Sequence, residues 1–232
     1  MKKNLVMLPA LMCDERLFEH QIQMLEPYFN IKVFTFKDID NIKNAAKYIV
    51  EEMGDEKFHV CGISMGGYIA LELMRHTENI ESLVLINTSF YEDNLEKKAQ
   101  RFMQIEEAMA VNDFQFKPLN DNIIKAYLHN ASYKKTSLLE KMAKDIGRLG
   151  FINQQKLILS RKSAVEDFQY YNIPTLIVSG SQDIITPTFI HEEMVNNLKD
   201  GTLVSIDNCG HLSPLDQPEA LSAVLELWFK RV

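Results

Sequence analysis

Gly62-Ile63-Ser64-Met65-Gly66, Asp183 and His211 are the residues of this chain whose types and spacing could do nucleophilic chemistry. A serine hydroxyl is almost never ionised near neutral pH. It needs a base within hydrogen-bond reach, and the base needs an acid to orient it. The G-x-S-x-G pattern follows the apolar run Phe58 to Cys61 and leads into a helical pattern from Met65 to about Arg75. That is the strand–turn–helix context in which the pattern carries mechanistic meaning. A serine at so tight a turn has a strained backbone, and a side chain at position 62 or 66 would collide with the crossing strand or helix. The helix that follows aims its free N–H groups and positive dipole end at the place where an oxyanion would develop.

Loops from distant strands meet only at the carboxyl ends of an open parallel sheet, so the partners should follow later strands. Asp183, in GSQDIITP, and His211, in NCGHLSPL, each follow a predicted strand by a few residues. The chain order Ser64, Asp183, His211 assigns Ser64 as nucleophile, His211 as base and Asp183 as orienting acid. Asp207 is the runner-up acid, and Glu92 or Asp93 a weaker one. His20, His59, His76, His129 and His191 are read as surface or packing residues. A tetrahedral oxyanion needs two backbone donors. Met65 N–H supplies one, and the loop after the first strand the other, with Leu11 chosen over its neighbours Ala10 and Met12. Cys13, Cys61 and Cys209 read as small apolar filler. Arg148, Arg161 and Lys162 could meet an acidic substrate, but read as a solvated helix face.

The elements that must position these residues alternate strand and helix at first. Strands are predicted over 4–8, 30–36, 57–62 and 81–89, with helices over 17–29, 39–53 and 65–75. Such alternation implies right-handed crossovers and a parallel sheet. Between about 91 and 171 only helical pattern is found, broken at Lys117-Pro118, at Asn130 to Tyr133, and at Gly147 with Gly150. The rhythm resumes with strands over 172–181 and 202–207 and helices over 188–198 and 218–232. The expectation is a three-layer α/β sandwich of about six mostly parallel strands, in order 2-1-3-4-5-6. Residues 1–89 and 172–232 would form the core, and 90–171 an all-helical lid over the strand ends. The lid's Phe102, Phe114, Phe116, Tyr127 and Phe151 suggest an apolar pocket, though core packing explains them as readily.

Composition narrows the partners. The 232 residues are 46% hydrophobic and 25% charged with a net charge of −7, which argues against nucleic acid or an anionic membrane surface. No stretch approaches the ~20 apolar residues of a membrane span. The N-terminal MKKNLVMLPALMC imitates a signal peptide but is interrupted by Pro9, and reads as a buried strand and loop. Three cysteines without CxxC spacing offer neither a disulfide nor a zinc framework, so cytoplasmic residence is the expectation.

Through GISMGG (62–67), GSQDIITP (180–187) and CGHLSPLDQPEAL (209–221), the chain resembles the α/β-hydrolase superfamily over essentially its whole length. Within it, the chain looks like the lid-bearing branch of small esterases, enol-lactone hydrolases and related enzymes. The resemblance implies a Ser-His-Asp acyl-enzyme mechanism on a small acyl substrate, no metal or organic cofactor, and substrate selection by the lid. It supports Ser64, Asp183, His211 and the Met65 N–H. Many relatives carry His-Gly at the oxyanion loop, where this chain has Pro9-Ala10. The expected activity is therefore that of a serine hydrolase cleaving a small carboxylic ester or related acyl compound. Two alternatives stand beside it: the same triad used for C–C hydrolysis, perhydrolysis or pyruvate elimination, and a non-catalytic member that binds a small ligand.

Overall fold

Apolar side chains cover both faces of the central strands, so these strands read in the sequence as nearly unbroken hydrophobic runs. A computed structural model describes residues 2–232; Met1, the first residue of the expected core segment, lies outside the described residues. Six strands are present: β1 (Lys3–Leu8), β2 (Phe29–Val33), β3 (Phe58–Ile63), β4 (Ile80–Ile86), β5 (Thr175–Gly180) and β6 (Gly201–Ile206). They form one sheet in the order β2-β1-β3-β4-β5-β6, with every neighbouring pair parallel. Successive residues alternate between two cores. Val6, Leu8, Val60, Leu83, Leu85 and Ile177 pack with α2 (Ile42–Met53), α3 (Met65–Leu73) and α8 (Thr188–Asn196). Leu5, Met7, Cys61, Val84, Ile86 and Val178 pack with α1 (Glu19–Leu25) and α10 (Pro218–Arg231). Each large side chain buried this way contributes roughly 1.5–3 kcal/mol, which makes the two-sided sheet the rigid part of the molecule.

Register brings the strand ends into line. Leu8 pairs with Gly62, Ile63 with Ile86, Ile86 with Val178, and Gly180 with Ile206. The residues just beyond these ends therefore share one edge of the sheet.

Several boundaries shift from the sequence expectation: β2 closes at Val33 and β4 at Ile86, three residues early, and β5 opens at Thr175, three residues late. The first helix stops at Leu25 and Phe29 already opens β2, because Pro27 has no N–H to continue a helix and the Phe29 ring packs on Phe229, 4.9 Å between centroids. The final helix α10 begins at Pro218 as expected, but a short helix, α9 (Ser213–Asp216), forms in the stretch read as loop, divided from α10 at Gln217, where φ is −136° and ψ 63°. A residue before proline avoids the helical region, and Pro218 follows.

Between β4 and β5 the described elements are all helical: α4 (Leu95–Met109), α5 (Asp121–Tyr127), α6 (Tyr133–Leu159) and α7 (Val165–Phe168). Asn94, Asn120 and Ser132 cap the first three, each side chain accepting a hydrogen bond from a first-turn N–H. Helix α6 turns at Gly147, where φ is 74°. A small core of Met12, Ile105, Ala108, Ala143, Ile146, Phe151 and Ile152 joins α4 and α6 to the loop after β1.

Candidate active site

Ser64 stands between β3 and α3 with φ 52° and ψ −114°, a conformation few non-glycine residues adopt. Its surroundings over-determine that strain. The Ser64 N–H donates to the Ile86 carbonyl, 3.0 Å, and its carbonyl accepts from Tyr68 N–H, 3.2 Å, and from the Thr88 hydroxyl, 2.9 Å. A Cβ on Gly62 would lie 2.4 Å from the Gly66 carbonyl oxygen, and one on Gly66 only 1.9 Å from that of Leu8. Only glycine permits this crossing.

Ser64 Oγ lies 2.8 Å from His211 Nε2, and His211 Nδ1 lies 2.8 Å from Asp183 Oδ2. All three residues are buried, though Ser64 lines an open cavity. The Asp183 carboxylate is fully engaged. Oδ1 accepts from the Ile185 and Thr186 N–H groups, and Oδ2 also accepts from the Thr186 hydroxyl at 2.6 Å. Burial alone would raise the Asp183 carboxyl, but the charge of His211 and the hydrogen bonds from His211 and Thr186 outweigh it. The group is held below the usual carboxylate range. An ionised Asp183 keeps the histidine proton on Nδ1 and turns the Nε2 lone pair toward the serine.

The two expected oxyanion donors sit at this same place. Leu11 lines the cavity with Ser64, and Met65 opens α3. Neither N–H donates to a protein acceptor among the described residues. The neighbouring Met12, at φ 61°, is already committed: its N–H donates to Gln154 Oε1 of α6 at 2.9 Å. That takes Met12 out of consideration, while the N–H groups of Ala10 and Leu11 both stay without a protein acceptor among the described residues.

The rejected alternatives are occupied elsewhere. Asp207 is exposed, Glu92 pairs with Lys98, and Asp93 lies between Arg161 and Arg101. His20 and His59 bond Ser222 and Ser82, each at 2.7 Å, and His76 meets Glu72. The three cysteines are buried and free, and burial pushes the Cys61 thiol up to about 12 and that of Cys209 to about 11. Arg161 corrects the expectation of a solvated face: it is buried, bidentate on Asp93, whereas Lys162 is exposed and Arg148 pairs with Asp113.

Sequence reading missed several supports. Asn87, fully buried with φ 43°, ties three strand ends together. Its Oδ1 accepts from Gly180 N–H at 2.7 Å, and its Nδ2 donates toward the Gly210 and His211 carbonyls at 3.0 and 2.6 Å. One amide thus links the loops that carry Asp183 and His211. His191 is buried beside them and accepts from the Thr88 N–H at 3.1 Å; burial lowers its pKa to about 4, so it is neutral. Asp216 accepts from Gly210 N–H and from His129 N–H of the helical insertion. The expected strand ran on to 89 and so took Asn87 in, whereas β4 ends at Ile86 and leaves Asn87 just past it.

Ser64 and His211 line a cavity of about 670 Å³. Phe116, Tyr127 and Phe151 of the insertion line it, whereas Phe102 and Phe114 are exposed on the outside. Among the described residues no three His, Cys, Asp or Glu side chains are grouped to hold a metal ion, and no helix is long and apolar enough to cross a membrane.

A family model for the alpha/beta hydrolase fold matches residues 30–218. The chain belongs to this family. Two relatives set its range: a 3-oxoadipate enol-lactonase of Acinetobacter baylyi is 26% identical over 201 residues, 84% of this chain and 72% of its own. A proline iminopeptidase of Lactobacillus crispatus is 26% identical over 202 residues, 77% of this chain and 67% of its own. The solved structure of a thermophilic esterase from Thermogutta terrifontis superposes with a TM-score of 0.84, covering 100% of this chain and 90% of the esterase. At 18% identity that is a likeness of fold. This α/β hydrolase thus shares its architecture with hydrolases of differing bonds, and its own side chains must argue the reaction.

Proposed function

We propose that this α/β hydrolase is a serine hydrolase that cleaves a small carboxylic ester or related acyl compound through an acyl-enzyme. The observation that carries the reading is the continuous hydrogen-bonded chain from Ser64 Oγ through His211 to Asp183, opening on a cavity of substrate size. In this reading His211 Nε2 takes the serine proton as Oγ attacks the carbonyl. The Met65 and Leu11 N–H groups receive the oxyanion. His211 then returns its proton to the leaving alcohol, and water repeats the cycle on the acyl-enzyme. Asp183 holds the imidazole and balances its transient charge. Residues 90–171 act as the lid that selects the substrate. An enol-lactonase among the similar proteins acts on a bond of the proposed kind, beside an iminopeptidase of equal identity.

The test is Ser64→Ala on a panel of p-nitrophenyl esters, with a fluorophosphonate probe on the parent. Turnover should fall by roughly 10⁴-fold or more, and the probe should label Ser64 alone. Equal rates for variant and parent would refute the assignment.

A further inference from the structure

The cavity's charge is uneven in a way that the reaction itself does not use. Asp93 is buried, 5% exposed, and Arg161, 7% exposed, grips both its oxygens at 2.7 and 3.1 Å. Arg161 also lies over the Tyr68 ring, 4.0 Å from its centroid. One carboxylate and one guanidinium make that pair complete. A second guanidinium is then added: Arg101 Nε donates to Asp93 Oδ2 at 2.6 Å. Its Nη1 donates to Gln155 Oε1 at 2.6 Å, and Gln155 is itself held by Gln104 at 2.7 Å. Asp93 cannot neutralise both arginines, so the cluster carries a surplus positive charge.

That surplus faces the cavity. Arg101 is half-buried, lines the same space as Ser64, and is fixed on two sides, while its Nη2 donates to nothing among the described residues. Tyr68 stands in the same lining, its ring under the Arg161 guanidinium. In the rest of the lining, Lys97 and Lys117 stand against a single further carboxylate, Glu107. A chain of net charge −7 would otherwise repel anions, so a cationic wall here is a local construction. A planar, pre-oriented guanidinium edge suits a carboxylate, and one surplus charge suits a monoanion.

We propose that the cavity takes an acyl compound bearing a free carboxylate remote from the scissile carbonyl, such as a half-ester of a dicarboxylic acid, with Arg101 as its anchor. This deepens the serine-hydrolase reading and rests on it. Lys97 steers the anion inward.

The experiment compares p-nitrophenyl hemisuccinate with p-nitrophenyl valerate, which match in length and differ in charge. The parent should favour the anionic ester in kcat/KM by about tenfold or more. Arg101→Gln should cut that ratio roughly 10–100-fold, chiefly through KM, and Arg101→Lys should fall between. Circular dichroism checks that each variant is folded. A parent without preference, or a variant that loses equally on both esters, overturns the subsite while leaving the serine chemistry intact. If neither ester is turned over, the serine-hydrolase reading fails, and calorimetry on the Ser64→Ala protein decides the subsite. Tighter binding of monomethyl than of dimethyl glutarate, lost on Arg101→Gln, upholds it; equal binding or none overturns it.

Discussion

Gly66 and Gly147 are both indispensable-looking glycines at bends, yet they answer to different constraints. An added Cβ at Gly66 would overlap the Leu8 carbonyl oxygen at 1.9 Å, because two backbones cross there. At Gly147 nothing lies within 4 Å, and the only demand is a φ of +74°. The contrast holds for the regions they belong to. The strand-end frame around Ser64 is fixed by backbone packed on backbone. The insertion is held by caps, a small core and a few polar ties, and its α5 buries no residue completely. In the proposed reading, reaction geometry therefore sits in the part that cannot adjust, and substrate selection in the part that can.

The largest break in this contrast should come from Gly66→Ala. We expect a loss above about 4 kcal/mol or no soluble protein, read from urea unfolding. A midpoint near that of the parent would mean the crossing is looser than the geometry implies. Asn87→Ala should follow at roughly 2–4 kcal/mol, because it strands the Gly180 N–H and two carbonyls in a buried site. Its kcat on simple esters should drop as well, since both partner loops lose their tie; an unchanged kcat would show that each loop holds itself.

His191 sharpens the comparison through pH. Its folded pKa of about 4 lies below the ~6.5 of an unfolded histidine, so the unfolded chain binds the proton first. Stability from this group is complete above about pH 6.5 and is lost as pH falls toward 4. His191→Gln should remove roughly 2 kcal/mol of the difference in stability between pH 7 and pH 4.5, measured as parallel urea titrations. Asp183, with its depressed carboxyl, acts in the same direction at more acid pH. Smallest of all, Gly147→Ala should cost only about 1–2 kcal/mol, the strain of a left-handed alanine in open space. A loss as large as that of Gly66→Ala would erase the distinction between the two regions.

Much of this was readable in the chain. The parallel sheet followed from the alternation of apolar runs with amphipathic stretches, its strand order was expected once the family resemblance had been drawn, and the adjacency of Ser64, Asp183 and His211 followed from their positions just past three such runs. What those residues do stays with the proposal. Asn87 was not readable, because its role exists only once register aligns the ends of β3, β4, β5 and β6. Arg161 was misread for a similar reason: its partner Asp93 lies 68 residues earlier and on no common element. The overlong first helix came from weighting periodicity above Pro27 and above the burial of Phe29.

The bond from Met12 N–H to Gln154 Oε1 has one more consequence. It fastens the turn bearing Leu11 to α6, so any molecule that pushes α6 aside also tugs on that turn. In the proposed reading, where the Leu11 amide catches the nascent charge, a misfit occupant would be processed slowly as well as held poorly, recognition and speed being geared to one another through a single glutamine.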